Sequence, residues 1–102
     1  MNTLAIEIQL ARIQYVAVTE DTLSVDLEDG RTISVPLAWF PRLVHGKSEE
    51  RDHWRLIGKG VGIHWPDLDE DISVENLILG KASGESQRSF NRWLDGRAKR
   101  PE

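Results

Sequence analysis

A chain of 102 residues with 39% apolar and 29% charged side chains has room for one globular domain but not for two. It contains no cysteine, which removes disulfides, thiolate nucleophiles and thiolate metal ligands together. Its net charge of −4 is divided unevenly: residues 1–80 hold 7 Lys and Arg against 14 Asp and Glu, a net of −7, whereas residues 81–102 hold 6 against 3, a net of +3. An acidic body repels a phosphate backbone, so only the basic tail is suited to nucleic acid. The opening MNTLAIEIQLAR has no basic leader ahead of its apolar residues and carries Glu7 early, so it does not read as a signal peptide. The longest apolar run, residues 35–41, is too short to span a bilayer. The expected location is the cytoplasm, with no membrane association.

In chain order, residues 4–10 place Ile6, Ile8 and Leu10 on one side of a candidate strand. IQYVAV, residues 13–18, is apolar and β-branched, and Glu20-Asp21 forms a short turn after it. The clearest signal is TLSVDLEDGRTISVPL. Leu23, Val25 and Leu27 alternate with polar residues before Asp29-Gly30, and Ile33, Val35 and Leu37 alternate after it, which predicts a hairpin and hence a three-stranded meander. A two-residue Asp-Gly loop would throw the two apolar rows onto opposite faces. A three-residue loop, with Gly30 left-handed in a bulge, pairs Val25 with Ile33 and Leu23 with Val35, and is the expected register.

Past Leu37 the pattern turns helical. Pro41 suits the first turn of a short helix reaching His45, and Gly46 ends it. Ser48 is placed to cap a second helix, with Glu49, Glu50 and Asp52 in its first turn, and Gly58, Gly60 and Gly62 forbid its continuation. GKGVG, residues 58–62, has the spacing of neither phosphate-binding glycine motif and reads as a tight hairpin turn. Val61, Ile63 and Trp65 alternate as a last strand that leaves His64 on the other face and stops at Pro66. Trp39, Trp54 and Trp65 are expected in the core rather than as stacking platforms for bases.

The next stretch, PDLDEDISVENLILG, is the one place where acid/base or metal chemistry could be assembled. Asp67, Asp69 and Asp71 alternate as at the start of a calcium loop, but the sixth position is Ile72 instead of glycine and the twelfth is Ile78 instead of glutamate. No two histidines stand at helical spacing for zinc, and a solvated acidic loop offers nothing to drive two carboxyl pKa values apart. The structural reading accounts for more residues: Asp71 or Ser73 caps a helix over residues 74–79, the acids lie at its positive end, Gly80 stops it, and Val74, Leu77 and Ile78 form its buried face. No nucleophile motif is present and no cofactor is implied.

In the tail SGESQRSFNRWLDGRAKRPE, Phe90, Trp93 and Leu94 recur at i, i+3, i+4 with Arg88 and Arg92 beside them, which predicts an amphipathic helix of roughly ten residues. Alone it is marginal. It must dock on this body, with a frayed end over residues 97–102, or on a second copy or a partner, and the flexible approach Gly84-Glu85-Ser86 tilts the expectation towards the latter two. The chain therefore reads as one α+β domain over residues 1–80, a small antiparallel meander with short helices packed on it, together with a basic C-terminal helix and tail over residues 81–102.

Taken together, LSVDLEDGRTISVPLAWFPRL, HWRLIGKGVGIHWPDLDEDISVENLILG and SGESQRSFNRWL resemble a bacterial family known as domain of unknown function 2442, with DEDISVE after a tryptophan as the most specific part. The resemblance implies a compact α+β fold and no established enzyme activity. Some longer relatives carry a helix-turn-helix module after the domain, for which residues 81–102 are too few, and some short ones are encoded beside a small partner in toxin–antitoxin-type pairs. The expected function is a non-enzymatic interaction module, antitoxin-like or an accessory member of a two-protein system. It would bind a protein partner or a second copy through Arg88, Phe90, Arg92, Trp93 and Leu94 together with the acidic edge Asp67, Asp69 and Asp71. The alternative is a nucleic-acid-associated transcriptional regulator using Arg88, Arg92, Arg97, Lys99 and Arg100. A metal-binding protein or enzyme comes third.

Overall fold

The computed structural model describes residues 11–99, and the candidate strand over residues 4–10 lies outside them. Three strands, β1 (Ile13–Val18), β2 (Thr22–Leu27) and β3 (Thr32–Pro36), form an antiparallel meander in the order β1-β2-β3. The hairpin has the expected register, with Val25 opposite Ile33 and Leu23 opposite Val35. Its loop closes through the amides of Leu27 and Gly30 bonding to Arg31 and Leu27 carbonyls, and Gly30 sits at φ 95°. On the outer face Ser24 meets Ser34 at 2.7 Å and Asp26 accepts from Thr32 at 2.8 Å, polar pairs that fix the same register from the solvent side. In β1 a bulge makes Gln14 the extra residue, so Ile13 and Val16, three positions apart, are both buried while Tyr15 points outward.

A 3₁₀ turn (Leu37–Trp39) leads into helices α1 (Pro41–His45) and α2 (Ser48–Asp52). The first begins on proline as expected, and Gly46 comes after it in extended conformation. The second departs from expectation in its cap. Ser48 is its first residue, not the cap; Lys47 holds that place, and the Glu50 carboxylate reaches back to accept from the Lys47 amide at 2.8 Å. The helix ends at Asp52, which therefore lies in its last turn.

Beyond α2 the chain forms a second antiparallel sheet, where the sequence shows one isolated strand. Strands β4 (Arg55–Ile57), β5 (Gly62–Trp65) and β6 (Glu70–Ser73) pair in that order, with Leu56 opposite Ile63, and Ile63 opposite Ile72. The turn between β4 and β5 runs through Gly58, Lys59 and Gly60, all at positive φ, which is the tight hairpin that GKGVG predicts. Of the alternating trio, Ile63 and Trp65 are fully buried, while Val61 stays in the turn and is exposed. The acidic DEDIS is not only a helix approach: four of its residues make β6. Each outer strand offers one or two apolar residues, too few to produce a period of two that sequence can register.

Helix α3 (Val74–Leu79) then starts as expected on Ser73, whose hydroxyl accepts from the Asn76 amide at 3.1 Å. It stops on Gly80 at φ 72°, where the Gly80 and Lys81 amides bond back to Leu77 and Asn76. After residues 81–86 comes helix α4 (Gln87–Ala98), capped by the Ser86 hydroxyl on the Ser89 amide at 3.1 Å. The protein is thus an α+β fold.

The core lies between the two sheets and the short helices, with Leu23, Val25, Leu43, Ile63, Trp65 and Leu68 all at 0% exposure. Trp65 is the largest of the fully buried side chains and keeps its indole satisfied by donating to the Arg51 carbonyl at 3.0 Å. Trp39 and Trp54 pack against this core partly buried. Among the described residues no helix is long and apolar enough to cross a membrane.

Two substitutions test the local chemistry. A Cβ at Gly30 meets nothing within 4 Å, so the cost of Gly30→Val is backbone strain alone; it should destabilise the domain by more than ~1 kcal/mol in urea unfolding, while Gly30→Asn costs less. Ser73→Ala should cost about 1 kcal/mol in the same measurement by loss of the helix cap, and unchanged stability would contradict the capping assignment.

Candidate interaction site

The acidic turn is built around a plug. Between β5 and β6 the chain turns over Pro66 to Asp69; Leu68 is fully buried and anchors the turn, its amide bonding to the Trp65 carbonyl. With Leu68 pinned inward, the residues on either side are forced outward, and Asp69 takes a left-handed conformation at φ 51° that Asp tolerates better than most residues. Each carboxylate then meets a different partner. Asp67 bonds His53 Nδ1 at 2.7 Å, Asp71 bonds His64 Nδ1 at 2.5 Å from the neighbouring strand, and Asp69, its side chain 88% exposed, lies 3.6 Å from Arg42. The two histidines thus serve separate aspartates. Among the described residues no three His, Asp or Glu side chains come together as a metal set.

The most highly connected side chain here is Arg42, on α1. It donates to the Asp69 carbonyl at 2.9 Å, and its fork grips Glu85, with Nε on Oε1 at 2.9 Å and Nη2 on Oε2. Ser89, in the first turn of α4, donates to the same carboxylate at 2.7 Å. A second fork closes the far end of the helix: Arg97 donates to both oxygens of Glu50, at 2.8 and 3.2 Å, and to the Asp67 carbonyl at 3.4 Å. Both guanidinium groups approach the Trp93 ring, Arg42 at 5.1 Å and Arg97 at 4.8 Å from its centre, and the ring stacks on Phe90, which in turn packs on His45.

The predicted contact residues therefore divide. Phe90 is buried, and Trp93 and Leu94 are half-buried, with Phe90 and Trp93 turned to the chain's own body; Arg88, Arg92, Asp67, Asp69 and Asp71 are exposed. The helix docks in cis, against the tilt of the sequence reading, and runs to Ala98, so Arg97 belongs to an ordered contact rather than a frayed end. The reason is the pair of Arg–Glu forks, whose members are 43 and 47 residues apart and leave no local pattern. Trp93 and Arg97, at i and i+4, were the one legible hint.

Between the acidic strand and residues 81–85 opens a cleft of about 520 Å³, lined by Phe40, Arg42, Glu70, Asp71, Asn76 and Glu85 among others. Desolvation by burial raises the pKa of Glu70, whereas the Arg42 hydrogen bonds lower that of Glu85 and those of Arg97 lower that of Glu50.

These shifts fix the sign of a pH effect. Glu50 and Glu85 have depressed folded values, so their stabilisation is present above the ordinary value of 4.5 and is lost as pH falls through the lower folded values. Glu70 acts in the opposite sense. Glu50→Gln and Glu85→Gln should each lower the melting temperature at pH 7 and have a smaller effect at about pH 3.5, while Glu70→Gln should raise it or leave it unchanged at pH 7.

The same architecture recurs in solved bacterial proteins. A protein of unknown function from Rhodospirillum rubrum superposes with a TM-score of 0.64 at 25% identity, over 76% of this chain and 95% of its own. An uncharacterized protein from Chromobacterium violaceum gives a TM-score of 0.64 at 15% identity, over 87% of this chain and 82% of its own, a likeness of fold alone. No curated protein matches the sequence. The family model described as "Protein of unknown function (DUF2442)" matches residues 13–83, from the first strand of the meander to the serine beyond α3, and the chain belongs to that family.

Proposed function

We propose that this protein is a non-enzymatic interaction module that binds another protein through the acidic turn and the adjoining face of α4. The observation that carries the reading is the outward presentation of the acidic turn on a buried anchor. Leu68 is buried at its centre, Asp67 and Asp71 are each fixed by a histidine, and Asp69 projects almost fully into solvent. Charges held in place by a packed frame steer and orient a complementary partner at little entropic cost. Beside the turn, Arg88 and Arg92 are exposed on the outer side of α4, so opposite charges occupy neighbouring surfaces and can specify orientation as well as attraction. An antitoxin-like or accessory role in a two-protein system, as the family resemblance implies, is one such use.

The nucleic-acid reading has one of its five cations already engaged. Arg97 is committed to Glu50 and stacked on Trp93, leaving Lys81, Arg88, Arg92 and Lys99 as exposed tail cations within the described residues, beside an acidic turn that repels phosphate.

Reciprocal tagged co-purification from the native cell tests the proposal. One partner should be recovered with the wild-type chain in both directions, and its recovery should fall at least ~10-fold with Asp69→Lys, since a reversed rim charge opposes encounter and register. Recovery of the bare monomer alone at every expression level counts against it, as does a partner indifferent to Asp69→Lys and to Arg88→Glu.

A further inference from the structure

Helix α4 is held differently from the sheets and from α1 and α3. Those elements share a continuous apolar core, whereas α4 contributes one buried side chain, Phe90, and the half-buried Trp93 and Leu94. The rest of its attachment is polar: the Arg42–Glu85 fork just before its first turn, the Arg97–Glu50 fork in its last, and the approach of both guanidinium groups to the Trp93 ring. Twelve residues make a marginal helix on their own, and the connection from Gly80 through Ser86 has no regular structure. Past the Gly80 and Lys81 amides that close α3, one backbone bond among the described residues, from the Ser83 amide to the Trp39 carbonyl, ties the connection to the body. An element attached in this way opens at a free energy below that of global unfolding.

The surface beneath it is nonetheless built for a helix of defined chemistry. His45 receives an aromatic ring, Arg42 faces the next aromatic three residues on, and Glu50 with the Asp67 carbonyl takes an arginine four residues beyond that. Every one of these body residues lies within the stretch matched by the family, residues 13–83, whereas α4 lies beyond it.

We propose that the surface formed by Arg42, His45, Glu50 and the Asp67 carbonyl is a docking site for a partner's basic amphipathic helix, and that α4 is the resident occupant which that helix must displace. The partner sequence it fits has two aromatics three residues apart and an arginine four residues after the second, the pattern of Phe90, Trp93 and Arg97. This deepens the interaction-module reading and rests on it: the exposed acidic turn gathers a basic partner, and the covered surface admits its helix once α4 swings out on residues 80–86. The closed form lowers apparent affinity in proportion to the fraction of open molecules.

A synthetic peptide of residues 85–98, free of the chain, is the probe, and full-length protein is the receptor. Arg97→Glu places like charges together at Glu50 and releases the resident helix without touching the receiving surface; Arg97→Ala does so more gently should the first variant misfold. Hydrogen exchange should show fast amides in residues 87–98 and unchanged protection in β1 to β6. The peptide should then bind the released variant at least ~10-fold more tightly than wild type, the gain expected if at least about nine-tenths of the wild-type molecules are closed. Adding Glu50→Gln to the released variant should abolish that binding. Equal affinity for wild type and released variant, or no binding to a variant whose helix amides are exposed, overturns the docking site. Cellular partner recovery is a separate readout: peptide binding without any recovered partner keeps this surface and discards the broader reading, and a partner lost with Asp69→Lys but not blocked by the peptide does the reverse.

Discussion

Three parts of this molecule's acidic side meet at the guanidinium of Arg42. It holds the backbone of the acidic turn, the carboxylate of the connection to α4, and one face of Trp93. With a side chain only 15% exposed, the cation has given up most of its water, and that cost is recovered only if its donors are occupied. Glu85 gains reciprocally, since its own exposure is 13% and a lone carboxylate there would be costly. The arrangement is cooperative in the plain sense that removing any one member leaves a charge or a carbonyl unmatched in a poorly hydrated place. Lysine in place of Arg42 could not reproduce it, because a point charge cannot grip both carboxylate oxygens, reach a carbonyl and lie flat on an indole at once.

The parts of the fold legible in sequence are those whose cause is local. The hairpin register depends on where Leu23, Val25, Ile33 and Val35 fall about one glycine, and the last body helix on Ser73, Val74, Leu77, Ile78 and Gly80, each acting within one turn of its neighbours. The second sheet escaped because β4 and β6 are three and four residues long and carry so few apolar side chains that alternation has nothing to count. The cap of α2 escaped for a related reason: Ser48 is the better residue by preference, yet Glu50 at the third helical position satisfies the Lys47 amide and moves the helix start back. At the candidate site, the outward carboxylates were visible as composition. Their fixed partners, His53 and His64, and the two arginine forks depend on residues brought together by the tertiary fold, which no single-chain pattern encodes.

The charge asymmetry of the chain takes on a concrete form in these contacts. Read as totals, an acidic body and a basic tail attract each other diffusely. In the structure the attraction is resolved into two bidentate contacts and an aromatic layer, which have defined geometry and fall silent if displaced by a single residue along the helix. Specific docking of the helix in cis and selective recognition of a similar helix in trans therefore draw on the same stereochemistry.

The acidic strand also bears on how copies of the chain can meet one another. Within the described residues β6 forms the outer margin of its sheet, so one row of its backbone amides and carbonyls has no neighbouring strand. Such a margin is an invitation to add a strand from another molecule, and from there to grow an aggregate. Glu70 and Asp71 stand on that margin, and an identical strand laid beside it would bring carboxylates of like charge into register. The same residues that shape the candidate binding surface thus act as wardens of solubility, and a variant that traded them for β-branched side chains would lose both offices together.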